Sequence, residues 1–500
     1  MAAALGQFAV PAGAEFRIGQ VRRGNQRRRK EAAFLTAEEL ALLWHPVTST
    51  VRAERYSLVE SRELEPPQEL PIRRDDPSLA IIGRVKFRGR REVFGIRAED
   101  RRRHMVIVGK TGMGKSVLLQ NLIVADIRAG RGAVLIDPHG DLADAVISCI
   151  PPHRTNDVVL FDAGDQQHPV GFNLLADHRP EQRALVASGI VASFHKLWGD
   201  SWGPRLEYLL RCSVLALLGQ PGSTLVSVQR LLTDISYRKL IVGRCADPVV
   251  RNFWQQEFAR WKPQLQVEAT SAVLNKSGAF LSSPLLRAIV GQSRSAFDLR
   301  RVMDEEKVLI VNLSKGRMGE DASALLGALL VTGLELAAMS RADRPEEDRT
   351  DCHLYIDEFQ NFVTSSFATI LSEARKFRLS VTLSHQYLEQ LDDSLRAAVF
   401  GNVGSLLSFQ VGGRDTEELA EQLGGDVTPA DLLSLPKYTA YLRLVIDGMP
   451  SRPFSVQTLP PAATVDRRRA DVIRRLSRQR YAVPAADVHR IIESSFLATA

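Results

Sequence analysis

Short, almost uninterrupted apolar runs recur along the chain, each closed by a small or polar residue. They are "HMVIVG" from His104, "GAVLIDP", "DVVLFD", "KVLIVNLS" (307–314), "CHLYIDE" (352–358), "LSVTLSHQ" (379–386) and "SLLSFQV" (405–411). The runs are short and rich in β-branched residues, which predicts strands buried on both faces. Segments with helical spacing lie between them; Ser116 to Arg128 is the clearest, with Val117, Leu118, Leu122 and Ile123 on one stripe and Gly130 as its stop. Strands of this kind alternating with helices predict an α/β fold, a mostly parallel sheet with helices on both faces.

The pattern changes twice. Between about Leu175 and Leu299 the strand signal fades, and "RLEYLLRCSVLALL" carries apolar positions at helical spacing. This stretch predicts an α-helical insertion. Before the core, "LAIIGRVKFRGRREVFGI" alternates apolar and basic residues around Gly-Arg, which predicts a strand pair. Residues 34–46 read as a short helix with Thr36 as cap, Glu39 three later and Pro46 as stop, and "LEPPQELP" (64–71) as a linker. The tail "VDRRRADVIRRLSRQR" reads as a basic surface helix. The expected organisation is an N-terminal segment over 1–70, a β-element over 71–103, an α/β core over 104–175 and 300–455, the insertion over 176–299 and a basic helical tail over 456–500. "ASALLGALLVTGLELAAM" (322–339) is the most apolar stretch, but Glu335, two glycines and its small residues predict a buried globular helix. With no signal peptide pattern and no transmembrane helix expected, the location predicted is cytoplasmic.

Composition adds little to this picture: 45% apolar and 25% charged is ordinary for a globular protein. The net charge of +7 matters through its distribution. Arginine runs at 22–30, 84–91, 97–103 and 467–480 read either as solvated surface or as contacts to a polyanion. The four cysteines form no CxxC pair and no zinc spacing.

The candidate chemistry starts at "GKTGMGKSV". A strand, a glycine loop and a helix start occur in that order. Backbone N–H groups of Gly109, Lys110, Thr111, Gly112, Met113, Gly114, Lys115, Ser116 and Val117 would cradle a β-phosphate, with the helix N-terminus adding its positive end. Lys115 would reach the β- and γ-phosphates of ATP, and Ser116 would place its hydroxyl on Mg²⁺. Asp357 ends an apolar strand and is assigned to Mg²⁺; Glu358 follows it and is assigned to the attacking water. Gln386, at the end of the next strand, suits a γ-phosphate sensor. Between those strands "SEARKFR" offers Arg375 as a finger toward a neighbouring subunit's nucleotide, with an exposed basic turn as the plain reading. Asp137, His139 and Asp141 in "IDPHGD" look like metal ligands by letters, but read better as a polar turn beside the nucleotide.

The combination and order of "IDPHGDL", "WGPRLEYLLR", "VLIVNLSKG", "LYIDEFQNF" and "LSHQYL" behind a P-loop resembles the HerA/FtsK superfamily, in particular the coupling proteins of type IV secretion, the conjugative DNA transfer ATPases. The resemblance spans about Leu79 to Ile446. It implies a RecA-like P-loop core with an all-α insertion, in keeping with the 357 − 115 = 242 positions between Lys115 and Asp357. It further implies a homo-hexameric ring, ATP and Mg²⁺, DNA gripped by its backbone, the Walker roles for Lys115, Ser116, Asp357 and Glu358, the sensor role for Gln386 and the finger role for Arg375. Many coupling proteins begin with transmembrane helices; here none is expected. That leaves room for a soluble DNA-processing or phage-defence motor, or for docking by a separate membrane or secretion-channel partner. A nucleotide-switched scaffold and a motor acting on protein are the rival classes.

Overall fold

The computed structural model describes residues 62–497, apart from residues 177, 365–366 and 462–464. The helix expected over 34–46 and the arginine run at 22–30 lie outside the described residues. One sheet of eleven strands organises the rest. The strands are β1 (Ala80–Val85), β2 (Val93–Ile96), β3 (Met105–Val108), β4 (Gly132–Asp137), β5 (Val158–Asp162), β6 (Val308–Asn312), β7 (Cys352–Ile356), β8 (Leu379–His385), β9 (Ser405–Ser408), β10 (Thr439–Arg443) and, after the small ribbon of β11 (Val445–Ile446) with β12 (Met449–Pro450), β13 (Phe454–Thr458). Their order is β2-β1-β13-β10-β9-β3-β8-β7-β4-β6-β5. The seven from β9 to β5 are parallel; β10, β13, β1 and β2 extend the sheet antiparallel.

The apolar runs are the seven parallel strands. Six of them feed two cores, whereas β8 gives Leu379, Val381 and Leu383 to one and buries Ser380, Thr382 and Ser384 on its other face. On β3, Val106 and Val108 face one core and Met105 and Ile107 the other; on β4, Val134 and Ile136 oppose Ala133 and Leu135. The helix Lys115–Arg128 packs Leu118, Leu119, Leu122, Ile123 and Ile127 into the second core. β10 and β13 carry no such run, and the sheet continues past residue 455 through β13. The strand pair β1–β2 is part of this same sheet.

From Leu175 to Leu299 only helices, turns and loops occur among the described residues. They share the first core with the sheet: Phe172 and Phe297 stack, and Phe161 near the end of β5 meets both edge to face, with centroids 6.0–6.4 Å apart. The apolar helix Glu320–Ser340 is long and apolar enough to cross a membrane, but its apolar window is 78% buried in the fold. It lies on helix Arg183–Trp198, where Gly189 leaves room for Thr332; a Cβ there would stand 2.3 Å from Thr332 Cγ2.

The basic helix Arg467–Tyr481 covers the sheet rim at β5. Ser477 Oγ accepts the free N–H of Leu160 on that edge strand at 2.8 Å, which closes an edge otherwise open to pairing.

Candidate nucleotide site

The glycine loop leaves the C-terminal end of β3 and turns into helix Lys115–Arg128. Gly112 (φ 79°) and Gly114 (φ 121°) hold backbone conformations that favour glycine, so the amides can turn toward one point. Two neighbouring strands pin the loop. Gly109 N–H donates to His385 O (3.2 Å) and Lys110 N–H to Gln410 O (2.8 Å). A Cβ on Gly109 would collide with Phe409 at 2.6 Å, so only glycine passes that ring. Lys115 is buried, and its Nζ donates to the loop carbonyls of Gly109 and of Lys110 (3.1 Å to the latter). Ser116 is exposed at the first turn and Val117 is half-buried behind it.

Opposite the loop stand the ends of β7, β8 and β4. Asp357 is buried just past β7, and Glu358 follows with a left-handed backbone (φ 47°), which turns its side chain out of the strand direction. Gln386 Nε2 donates to Glu358 Oε1, and Thr111 Oγ1 donates to Gln386 Oε1 at 3.1 Å. His139 Nε2 donates to the other carboxylate oxygen, Glu358 Oε2, at 3.0 Å. Thr111, Gln386, Glu358 and His139 thus form one hydrogen-bonded row across four consecutive strand ends, β3, β8, β7 and β4.

Burial pushes the Asp357 carboxyl above the usual carboxylate range, and the nearby Asp137 and Glu358 push it further, against the pull of Lys115. Burial likewise pulls Lys115 down, against Asp357 and Glu358. Three acids against one amine leave a deficit of positive charge that a divalent cation would correct. The donors at hand, carboxylate and hydroxyl oxygens, suit Mg²⁺, and the loop's inward amides suit a polyphosphate. The residues present therefore fit both groups.

The "IDPHGD" turn is a cap and not a metal cage. Asp137 accepts the N–H groups of His139 (2.9 Å) and Ala143 (2.8 Å), and the described residues hold no cluster of metal-ligating side chains. His139 as the second support of Glu358 was missing from the sequence reading; its only signal was a polar turn after a buried strand.

Arg375 is not brought to this site. It is exposed on the turn Ala374–Phe377, which leads into the start of β8, while Gln386 follows the end of that strand. Seven residues of strand separate the two by about 20 Å.

Two arginine runs are engaged within the chain. Arg101 is buried and holds Asp126 with both Nη atoms (2.7 and 2.8 Å), with Tyr355 OH bonded to both. Burial opposes ionisation of Asp126, yet Arg101 beside it holds the carboxyl well below its usual range. Arg102 pairs with Asp351 and Arg97 with Asp447. In the tail helix Arg474, Arg478 and Arg480 reach Asp144, Asp165 and Asn156. In the tail run Arg467, Arg468 and Arg475 remain exposed, as do Arg88, Arg90 and Arg91 at 84–91.

A glycine loop between a buried strand and its helix, faced by an acid pair and a glutamine on adjacent parallel strands, defines a P-loop nucleoside-triphosphatase core of the RecA-like kind. The comparisons narrow that class. Residues 82–179 match the family model described as the central domain of the helicase HerA. The fold is similar to the plasmid coupling protein TrwB in complex with ADP and Mg²⁺, at 19% identity over 83% of this chain and 99% of that one, with a TM-score of 0.58. It is also similar to TrwB bound to a non-hydrolysable ATP analogue, at 21% identity over 77% and 91% of the two chains, TM-score 0.56. VirB4 of Thermoanaerobacter pseudethanolicus follows at 14% identity over 77% and 97%, TM-score 0.50. No curated protein matches the chain by sequence. The family model and the fold agree with the HerA/FtsK resemblance read from the motifs.

Proposed function

We propose that this chain is an ATP-hydrolysing motor that moves DNA as a homo-hexameric ring in conjugative, type IV secretion-like transfer. The row Thr111–Gln386–Glu358–His139 carries the reading. A binding scaffold needs the loop alone, whereas an acid held from both sides beside it suits turnover. The TrwB-like fold across most of the chain and the HerA central-domain match support the motor class. In this reading residues 176–299 form the insertion domain of a core spanning 104–175 and 300–455.

Bound Mg²⁺ would supply charge neutralisation on the phosphates, held by Ser116 and by Asp357, directly or through water. Lys115 exchanges the carbonyls of Gly109 and Lys110 for phosphate oxygens. Glu358 accepts the proton of the attacking water while Gln386 and His139 fix its two oxygens. Gln386 also touches Thr111 of the loop, so it links the state of the γ-phosphate side to the base. Arg375, exposed and remote from its own site, serves the neighbouring subunit. DNA is gripped by its phosphates without base readout, since a pump must pass every sequence. The chain works in the cytoplasm, brought to the membrane by a secretion-channel partner.

The test is the ATPase rate with single-stranded DNA, with duplex DNA and without either, at two salt concentrations. Stimulation that weakens with salt is expected; a DNA-independent rate would move the reading to a switched scaffold. The HerA match keeps a second reading, a DNA-processing or phage-defence motor, distinguished by stimulation with duplex ends and by the absence of a secretion partner in pull-downs.

A further inference from the structure

Beside the glycine loop, on the side away from the acids, stands a tyrosine whose backbone is out of place. Tyr438 has φ 64°, a left-handed conformation that disfavours a bulky residue. It occupies the third position of a turn over residues 436–439, closed by Thr439 N–H to Pro436 O at 3.1 Å. A positive φ at that position calls for glycine or asparagine. The strained residue is fixed at both ends: its N–H donates to Met113 O of the glycine loop (3.0 Å), and its carbonyl accepts Thr458 N–H (2.9 Å). The ring itself is 47% exposed and belongs to neither core. It rests against the start of the phosphate-binding helix, where a Cβ on Gly114 would lie 3.0 Å from its Cδ1.

Sheet order says what faces that ring. The glycine loop rises from β3, between β8 and β9. Glu358, Asp357 and Gln386 all come from the β8–β7 side, so a bound γ-phosphate points there. A triphosphate chain that places its γ end over β8 sends its nucleoside end to the opposite side, over β9 and β10. Tyr438 immediately precedes β10. Strain in a folded chain persists where the surroundings impose it and gathers at ligand clamps, and here it holds an otherwise uncommitted ring at the loop's edge.

We propose that Tyr438 is the stacking platform for the nucleobase of the bound nucleoside triphosphate, a role that rests on the P-loop reading above. Stacking uses the π-face that every base has, so the platform contributes affinity with little choice between adenine and guanine.

The experiment compares two ligands on the full chain by calorimetry: the non-hydrolysable ATP analogue AMP-PNP and base-free inorganic tripolyphosphate, both with Mg²⁺. Tyr438→Gly relaxes the left-handed backbone, so the melting midpoint is expected to hold or rise. The same variant is expected to bind AMP-PNP about five- to 150-fold more weakly, the span that loss of one base–aromatic stack gives, with tripolyphosphate within twofold of the wild type. Tyr438→Phe keeps the platform and should bind both ligands normally. Equal loss of both ligands in Tyr438→Gly would make the residue a support of the loop and overturn the proposal. Unchanged AMP-PNP binding would do so too, and would assign the exposed ring to a protein contact. Lys115→Ala should lose both ligands; if it retains both, the P-loop reading falls and the platform with it.

Discussion

The side-chain amide of Gln386 donates to the carboxylate of Glu358, and the two residues follow neighbouring parallel strands, β8 and β7. In the proposed mechanism the glutamine sets the direction of the oxygen that takes the proton. Glu358→Gln should bind ATP and lose hydrolysis by roughly 10²–10⁴-fold, the usual contribution of a positioned base. Gln386→Ala should lose less, and the double variant should be no slower than Glu358→Gln alone, because the glutamine works through the glutamate. Single-turnover assays with labelled ATP read all three. Normal hydrolysis by Glu358→Gln would remove the glutamate from the mechanism.

Arg375 stands a strand's length from its own glycine loop. Arg375→Ala should keep ATP binding and lose about 10³–10⁵ in rate, as an arginine finger does. Mixing it with Lys115→Ala should restore part of the activity, since some interfaces then pair an intact loop with an intact finger. No recovery in mixtures that light scattering shows to be hybrid rings would return Arg375 to the exposed basic turn that its letters also fit.

The Arg101–Asp126 pair lies inside the fold. Arg101→Met should cost up to about 3–5 kcal/mol, because buried Asp126 would lose its two-pronged partner and keep only the single contact from the part-exposed Arg131, at 3.1 Å; urea unfolding measures it. The salt slope of DNA binding should stay unchanged. A variant with wild-type stability and a slope flatter by about 0.7–0.9 log units per lost phosphate contact would make the run a DNA surface after all.

Glu335 lies in the buried helix Glu320–Ser340, where burial pushes its carboxyl up to about 7. The folded state thus prefers the neutral acid. Its contribution is fully present below the unfolded value near 4.5 and is lost as the pH rises toward 7. Glu335→Gln should raise stability at pH 8 by up to about 3 kcal/mol and flatten the decline between pH 5 and 8. Thermal melts across that range check it; a parallel decline in the variant would place the titration elsewhere.

Most of the parallel half of the sheet was legible because a strand buried on both faces can do without polar alternation, and "MVIV" or "LIVN" can be little else; β8, "LSVTLSH", alternates and is buried throughout all the same. β10 and β13 escaped notice: "TAYLR" and "FSVQT" mix polar and apolar letters and are placed by partners. The loop and the acid pair were legible because their chemistry is written in contiguous letters. His139 reaches Glu358 across 219 positions, and Tyr438 reaches the loop from the far end of the core; no spacing rule connects such residues. The ion pairs inside the arginine runs were hidden for the same reason, since the partners of Arg97 and Arg102 lie hundreds of residues downstream.

The helices of residues 175–299 leave the sheet after β5 and return before β6, the two strands at one rim, whereas the hydrogen-bonded row of Thr111, Gln386, Glu358 and His139 spans β3, β8, β7 and β4. The block is thus hung from the margin, outside the strands whose spacing sets the chemistry. Its length and surface can drift, or be exchanged, without retuning Glu358 or Gln386. The centre of the sheet is thus reserved for the candidate site, and its rim is a mounting point from which a large helical block can hang.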